Sequence, residues 1–276
     1  MGLTLMYITN NPEVALIAQK YGVQRIWIDL ETIGKQERQK NMNTVKSQHT
    51  VEDIRKISPL LVGSEMLVRV NPWNGNSVKE IDDVVDAGAD IIMLPMWKTV
   101  NEVRSFIKSV NGRTKTTLLL ETKEAVRCLD DVLKIPGIDE IHIGLNDLHL
   151  SYGLTFMFEL LSNGTVENIC NKIKKSGIVY GFGGIAKIGE GMLPAEKIIL
   201  EHYRLGSNRA ILSRSFCNTY EIQGLDEIDK VFSINMEALR KYEEIANKIS
   251  ADDLLRNKLE VCKCVNRIVN AKRSGE

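Results

Sequence analysis

The sequence predicts a (β/α)8 barrel with additional carboxyl-terminal helices, and three observations carry that reading. Short runs rich in Val, Ile, Leu and Met recur with helical patterns between them. Most runs are nearly continuously apolar, as strands covered on both faces must be. Eight such units fit into about 225 residues, close to the roughly 250 usual for this barrel. An open doubly wound sheet is the alternative architecture.

The runs, in order, are LTLMYI from Leu3, RIWIDL from Arg25, EMLVRV from Glu65, DIIMLP from Asp90, TTLLLE from Thr116, EIHIGL from Glu140, GIVYGF from Gly177 and YRLGSNRAIL from Tyr203. Helix starts are marked between them. Asn11-Pro12-Glu13 places Pro at a first helical position, Thr50-Val51-Glu52-Asp53 resembles a capping box with Asp in place of Glu, and Leu193-Pro194-Ala195-Glu196 opens another helix. Gly22, Gly88 and Gly177 stand where helices should stop before a strand.

The barrel is expected to occupy residues 1–224. Residues 225–276 then form two further helices, Leu225 to Lys248 and Ser250 to Arg273. In the second, Leu255, Leu259, Cys262, Val265 and Val269 form an apolar stripe at helical spacing, facing either the chain's own barrel or a neighbouring subunit. A homo-oligomer is one expectation for this stripe.

Lys+Arg and Asp+Glu balance at 36 each, which gives no reason to expect nucleic acid or an anionic membrane as partner. No apolar run approaches the roughly 18 residues of a membrane-spanning helix, and no leader pattern opens the chain, so a cytoplasmic protein is expected. The five cysteines are odd in number and lack paired metal-site spacing, as expected where thiols stay reduced.

In such a barrel, catalytic groups belong at the carboxyl ends of strands. There the chain offers Asp29 and Glu31 after strand 2, Arg69 and Asn71 at strand 3, Glu121 after strand 5, and Asn146 and Asp147 after strand 6. Taken singly each has a plain reading: Asp147 as a helix cap or turn former, Glu121 as a solvated strand terminus, Arg69 as the ion-pair partner of Asp29 or Glu31. Together, four carboxylates and one guanidinium at one mouth would repel and desolvate one another, and a divalent cation is the simplest compensation. Glu121 and Asp147 come from neighbouring strands about 4.8 Å apart and can reach a single ion. Two carboxylates with remaining positions left open suit Mg²⁺ or Mn²⁺, and no His or Cys spacing suggests zinc. Arg69 could then take a substrate carboxylate or an enolate oxygen with its planar fork.

The segments IDLE, VRVNP, GADIIMLP, LLLET and IPGIDEIHIGLNDLHLSYG, in this order and spacing, resemble the HpcH/HpaI aldolase and citrate lyase β-subunit family of the phosphoenolpyruvate/pyruvate superfamily. The resemblance is strong from Ile26 to Gly153 and loose over the rest. It implies a (β/α)8 barrel holding Mg²⁺ or Mn²⁺ through Glu121 and Asp147, with a pyruvate-type ligand on the metal and Arg69 contacting it. It implies a carbon–carbon lyase or aldolase whose enolate of a 2-oxo acid is released by cleavage or adds to an aldehyde or acyl acceptor. Asp29 and Glu31 would orient the metal's water ligands and act as catalytic residues with Arg69, while Gly144 and Asn146 would bind the substrate, Gly144 by letting the backbone approach it. Two other outcomes stay open: a lyase, synthase or hydrolase of CoA thioesters of the citrate lyase type, and a barrel that binds an oxo acid without turnover.

The chain departs from the family at Thr32, where the aldolases carry His and the citrate lyase type carries Asp. The general base is thus open between His49, in the long segment after strand 2, and a metal-bound hydroxide. GFGGIA, Gly181 to Ala186, matches a dinucleotide-binding pattern only weakly, because no helix opens within it. In a barrel, these glycines and Gly206 to Arg209 sit where phosphate is often bound, so a phosphorylated acceptor with Arg209 or Arg214 as anion contact is one option. Lys35 or Arg38, in the charged run Gly34 to Lys40, could reach over the mouth.

Overall fold

In a computed structural model, which describes residues 2–34, 48–219, 221–222 and 224–274, the strands form one parallel sheet that curls into a barrel. The strands are β1 (Thr4–Ile8), β2 (Arg25–Asp29), β3 (Glu65–Arg69), β4 (Ile91–Leu94), β5 (Lys115–Leu120), β6 (Glu140–Ile143), β7 (Val179–Phe182), β8 (Gly184–Ile185) and β9 (Arg209–Leu212). Their order is β7-β6-β5-β4-β3-β2-β1-β9-β8. The seventh run of the barrel is split by Gly183, which adopts a left-handed φ of 52° open to glycine at little cost. Before the break the run pairs with β6, and after it with β9. Closure is completed by Asn208 N–H donating to Tyr180 O at 3.1 Å, Ile211 N–H to Gly183 O at 3.2 Å and Ser213 N–H to Ile185 O at 2.9 Å. The expected eighth strand starts late: Tyr203 to Gly206 is the end of a helix and its left-handed cap, and the strand itself begins only at Arg209.

Among the described residues the helices are α1 (Pro12–Lys20), α2 (Val51–Ile57), α3 (Ser77–Asp86), α4 (Val100–Val110), α5 (Lys123–Val132), α6 (Leu145–Ser151), α7 (Glu159–Ser162), α8 (Thr165–Ser176), α9 (Ala195–Leu205), α10 (Leu225–Ala246) and α11 (Ala251–Ser274). The start signals act as expected. Asn11 caps α1 through Val14 N–H, and Thr50 with Asp53 completes a reciprocal capping box on α2.

Two cores result from strand alternation. Outward side chains of the strands pack against the helices in one large cluster that runs from Leu3 to Val269 and takes in Phe232 and Met236 of α10. Inward side chains Met6, Trp27, Leu67, Ile91, Met93 and Leu119 fill the barrel itself. Below this apolar plug, at the amino ends of the strands, lies a buried ionic layer. Arg25 donates to both Glu140 oxygens at 2.5 and 2.6 Å, and Arg209 donates to the same carboxylate at 2.8 Å. Glu65 accepts from Arg25 and from Lys115. Burial opposes the Glu140 charge, but the two guanidinium groups outweigh it and hold the carboxyl at about 2.

The last helix lies along α7 and α9 of its own chain. Its buried residues are Asn257, Val261, Val265 and Val269, while Leu255 and Leu259 are 53% and 61% exposed. The expected stripe is therefore rotated at its amino-terminal half. Polar contacts set this phase: Asn257 donates to Lys197 O and to Glu201 at 3.0 Å each, and Lys258 reaches Glu167 at 2.7 Å.

Candidate active site

Above the plug, at the carboxyl ends of the strands, a second charged layer gathers the residues expected there. Asp29 and Arg69 are directly paired in the β2–β3 register. Arg69 Nε and Nη2 donate to the two oxygens of Asp29 at 2.8 Å each, and its Nη1 lies 3.3 Å from Glu31 Oε2. The guanidinium also sits 5.3 Å over the Trp27 ring. Burial works against its charge, yet Asp29, Glu31 and, farther off, Glu121 raise it above the ordinary arginine value.

The loop that carries Glu31 is tied down by Asn71. Asn71 Oδ1 accepts from Thr32 N, Thr32 Oγ1 and Ile33 N, while its Nδ2 donates to Leu30 O and to Glu80. Thr32, at the position where the resemblance calls for His or Asp, is thus committed to Asn71. Asp29 Oδ1 also accepts Glu31 N–H at 3.2 Å, so the acids after β2 are held by backbone as well as by Arg69.

Glu121 follows β5 directly and precedes Thr122, the N-cap of α5, which fixes its backbone between two elements. It is 3% exposed. Desolvation, reinforced by Asp147 and Glu31, pushes its carboxyl well above the usual range against the pull of Arg69 and of Met96 N–H. That N–H, 3.0 Å from Glu121 Oε1, comes from a residue with a left-handed φ of 53°. A non-glycine, non-Asn residue in this region is uncommon and carries strain.

Asp147 does not end β6, which stops at Ile143; it lies with Asn146 in the first turn of α6, after Gly144. Gly144 has a specific task, because a Cβ there would meet Glu121 Oε2 at 2.8 Å. Its bareness makes room for the Glu121 carboxylate. His49 comes back to the mouth, its Nδ1 accepting Asp29 N–H at 3.0 Å.

Two expected contributors, Arg209 and Gly181, fall elsewhere. Arg209 is at the amino end of β9, paired with Glu140 beneath the plug, and so on the opposite side of the barrel from the acids; an anion contact for it at the mouth is ruled out by this position. Gly181 serves packing, since a Cβ there would lie 2.3 Å from Arg209 O. Lys35 and Arg38 lie outside the described residues.

Glu121 and Asp147 supply hard oxygen donors with no sulfur or imidazole between them, and the raised Glu121 carboxyl marks a place where positive charge is wanted. Among the described residues no group of three or more His, Cys, Asp and Glu could hold a metal. A two-carboxylate set fits Mg²⁺ or Mn²⁺, which keep several water ligands, better than a closed cage. Among the same residues no helix is long and apolar enough to cross a membrane.

Fold and family define a barrel of the aldolase and lyase class. The family model for HpcH/HpaI aldolase/citrate lyase matches residues 3–179, and the chain belongs to that family. It is 25% identical over 183 residues to a hydroxypyruvate/pyruvate aldolase of Rhizorhabdus wittichii, a match covering 52% of this chain and 72% of that protein. A hydroxypyruvate/pyruvate aldolase of Roseovarius nubinhibens is 23% identical over 147 residues, covering 40% of this chain and 55% of that one. Among solved structures, an HpcH/HpaI aldolase from Desulfitobacterium hafniense DCB-2 superposes with a TM-score of 0.63 at 16% identity, covering 83% of this chain and 93% of that one. The citrate synthase SbnG gives 0.58 at 15% identity, covering 88% and 95%. At these identities the solved structures speak for the fold.

Proposed function

We propose that the protein is a divalent-cation-dependent carbon–carbon lyase or aldolase that works through the enolate of a pyruvate-type 2-oxo acid. One observation carries the reading: a buried Glu121 carboxyl, close enough to the half-buried Asp147 to feel its charge, shares its mouth with a guanidinium that Asp29 and Glu31 hold in place. The names of the relatives agree with it.

Glu121 and Asp147 would hold Mg²⁺ or Mn²⁺, which supplies Lewis acidity toward the carboxylate and carbonyl oxygens of the oxo acid. Arg69 keeps its charge at all working pH values and meets the negative charge that grows as a methyl proton leaves. Its two bonds to Asp29 fix the fork, so little reorganisation is needed when the enolate forms. Asn71 and Asp29 hold Glu31 beside Arg69 rather than leaving it to swing into the mouth. His49 accepts Asp29 N–H at Nδ1, which holds its ring beside the acids at the end of β2.

The test is exchange of pyruvate methyl protons in D₂O, followed by NMR with Mg²⁺ or Mn²⁺, with EDTA, and with Glu121→Ala. Exchange that needs metal and vanishes in the variant is expected. Exchange that persists in EDTA would sink the metal assignment, and pyruvate bound without exchange would favour a binding barrel.

A further inference from the structure

The structure assigns Met96 as a positioning residue for the Glu121 carboxylate: its left-handed backbone turns an N–H onto Oε1 and so selects Oε2 as the oxygen offered to a cation. This rests on the metal reading above and extends it to a residue outside the two donors.

The backbone around both donors is fixed without Met96. Gly144 N–H donates to Leu120 O at 3.0 Å, which keeps the end of β6 beside β5 as the chain turns into α6. Lys123 N–H donates to Ser151 Oγ at 2.9 Å, which ties the start of α5 to the end of α6, one helical turn beyond Asp147. Rotation of the Glu121 carboxylate is left open by these bonds, because the terminal torsion of a Glu side chain lacks sharp staggered wells. Among the described residues the hydrogen bond that reaches this carboxylate is Met96 N–H to Oε1, at 3.0 Å. Oε2 is turned toward Gly144, where an added Cβ would stand 2.8 Å from it. One oxygen is thus held by the loop after β4, and the other faces the start of the helix that carries Asp147.

The loop is built to aim that amide. Trp97 is 1% exposed, and its carbonyl accepts Thr122 Oγ1–H at 2.9 Å, so the residues next to Met96 and Glu121 are bonded to each other in the opposite sense. Beyond them, Glu102 accepts from Lys98 N–H at 2.6 Å and from Thr99 N–H at 2.9 Å. Between Pro95 and these anchors, Met96 takes up the turn with a φ of 53°. The other left-handed non-glycine among the described residues, Asn111, caps α4, as asparagine commonly does. Met96 ends no helix, and β4 has already stopped at Leu94, so neither capping nor strand pairing accounts for its conformation. A glycine would adopt that backbone without the clash that a Cβ brings. What the strained residue delivers is a fixed donor on a carboxylate, a bond that charge strengthens.

The experiment measures Mn²⁺ affinity by titration calorimetry and, on metal-free protein labelled with ¹⁵N-methionine, the amide proton shift of Met96, assigned by its absence from Met96→Gly. Nonsense suppression with the α-hydroxy acid of methionine replaces the N–H of residue 96 by oxygen and leaves the side chain. This ester is expected to weaken Mn²⁺ binding by about tenfold to a hundredfold. Met96→Gly, which keeps the N–H and adopts the left-handed backbone freely, is expected to retain Mn²⁺ binding and to raise the urea midpoint. The Met96 amide proton is expected to lie downfield and to move upfield in Glu121→Ala. Wild-type affinity in the ester would overturn the assignment. Met96→Gly as weak as the ester would do so too, by placing the effect on the side chain, and so would an amide proton indifferent to Glu121→Ala. Wild-type Mn²⁺ affinity in Glu121→Ala, with the amide proton still responding, would instead remove the metal reading and the choice of Oε2 with it, while the bond between Met96 and Glu121 stands.

Discussion

A Cβ on residue 144 would stand 2.8 Å from Oε2 of Glu121 and 3.0 Å from its Cβ. The backbone at Gly144, with φ of −80°, is open to any residue, so it is space and not conformation that requires glycine. Gly144→Ala is therefore expected to fold and yet to displace the Glu121 carboxylate. Mn²⁺ affinity by calorimetry and metal-dependent proton exchange should each fall by about tenfold to a hundredfold, with the urea midpoint nearly unchanged. Unaltered Mn²⁺ affinity would show that Glu121 does not need the space.

The fold was legible because strands buried on both faces cannot hide: each apolar run ends where a capping residue or a glycine stands. The acids at the mouth were legible for the same reason, as charge placed where a run stops. Parity along the strands was the unused signal. Arg25, Glu65, Lys115, Glu140 and Arg209 are all first residues of strands and face inward, which marks a structural ionic layer and removes Arg209 from the mouth. The two-residue β8 was too short to show a pattern. The phase of α11 was misjudged because Asn257 reads as a surface residue, although Glu201 and Lys197 give it partners in the interior. Nothing in the sequence announces the left-handed Met96.

The two charged layers are expected to separate stability from chemistry. Arg25→Met removes both bonds to the first residue of β6 and leaves Glu140 with Arg209. Taking one partner from a buried pair costs about 3–5 kcal/mol, so urea unfolding should shift by that order. Proton exchange by the folded fraction should stay near wild type, because the apolar plug stands between this layer and Arg69. A change in exchange matching that of an Arg69 variant would show the layers to be coupled.

Acid should destabilise the protein well before carboxylates protonate. Burial pushes His142 down to about 4 and His202 down to about 3 from an ordinary 6.5. The unfolded chain binds these protons and the folded one does not, so the stability is fully present above pH 6.5. It is lost as pH falls from about 6.5 toward 4 and 3, at up to about 1.4 kcal/mol per unit for each ring. Glu140, held low by its arginines, adds a further loss below about 4.5. Urea unfolding free energies between pH 7.5 and 4 should show this slope, and His142→Gln should flatten it. A flat profile in the wild type would mean that both rings are reached by water.

The closing of the barrel at Gly183 bears on how the chain is made. β1 emerges first from the ribosome, yet its outer edge pairs with β9, which is synthesised about 200 residues later. Until then β1 and β7 are the open margins of a growing sheet, with backbone donors and acceptors that any extended segment could capture. Translation thus leaves a long interval in which the nascent sheet has two exposed sides, and β9 ends it by pairing with both at once. The protein's most vulnerable moment lies in its own synthesis, before the stretch from Arg209 to Leu212 has left the exit tunnel.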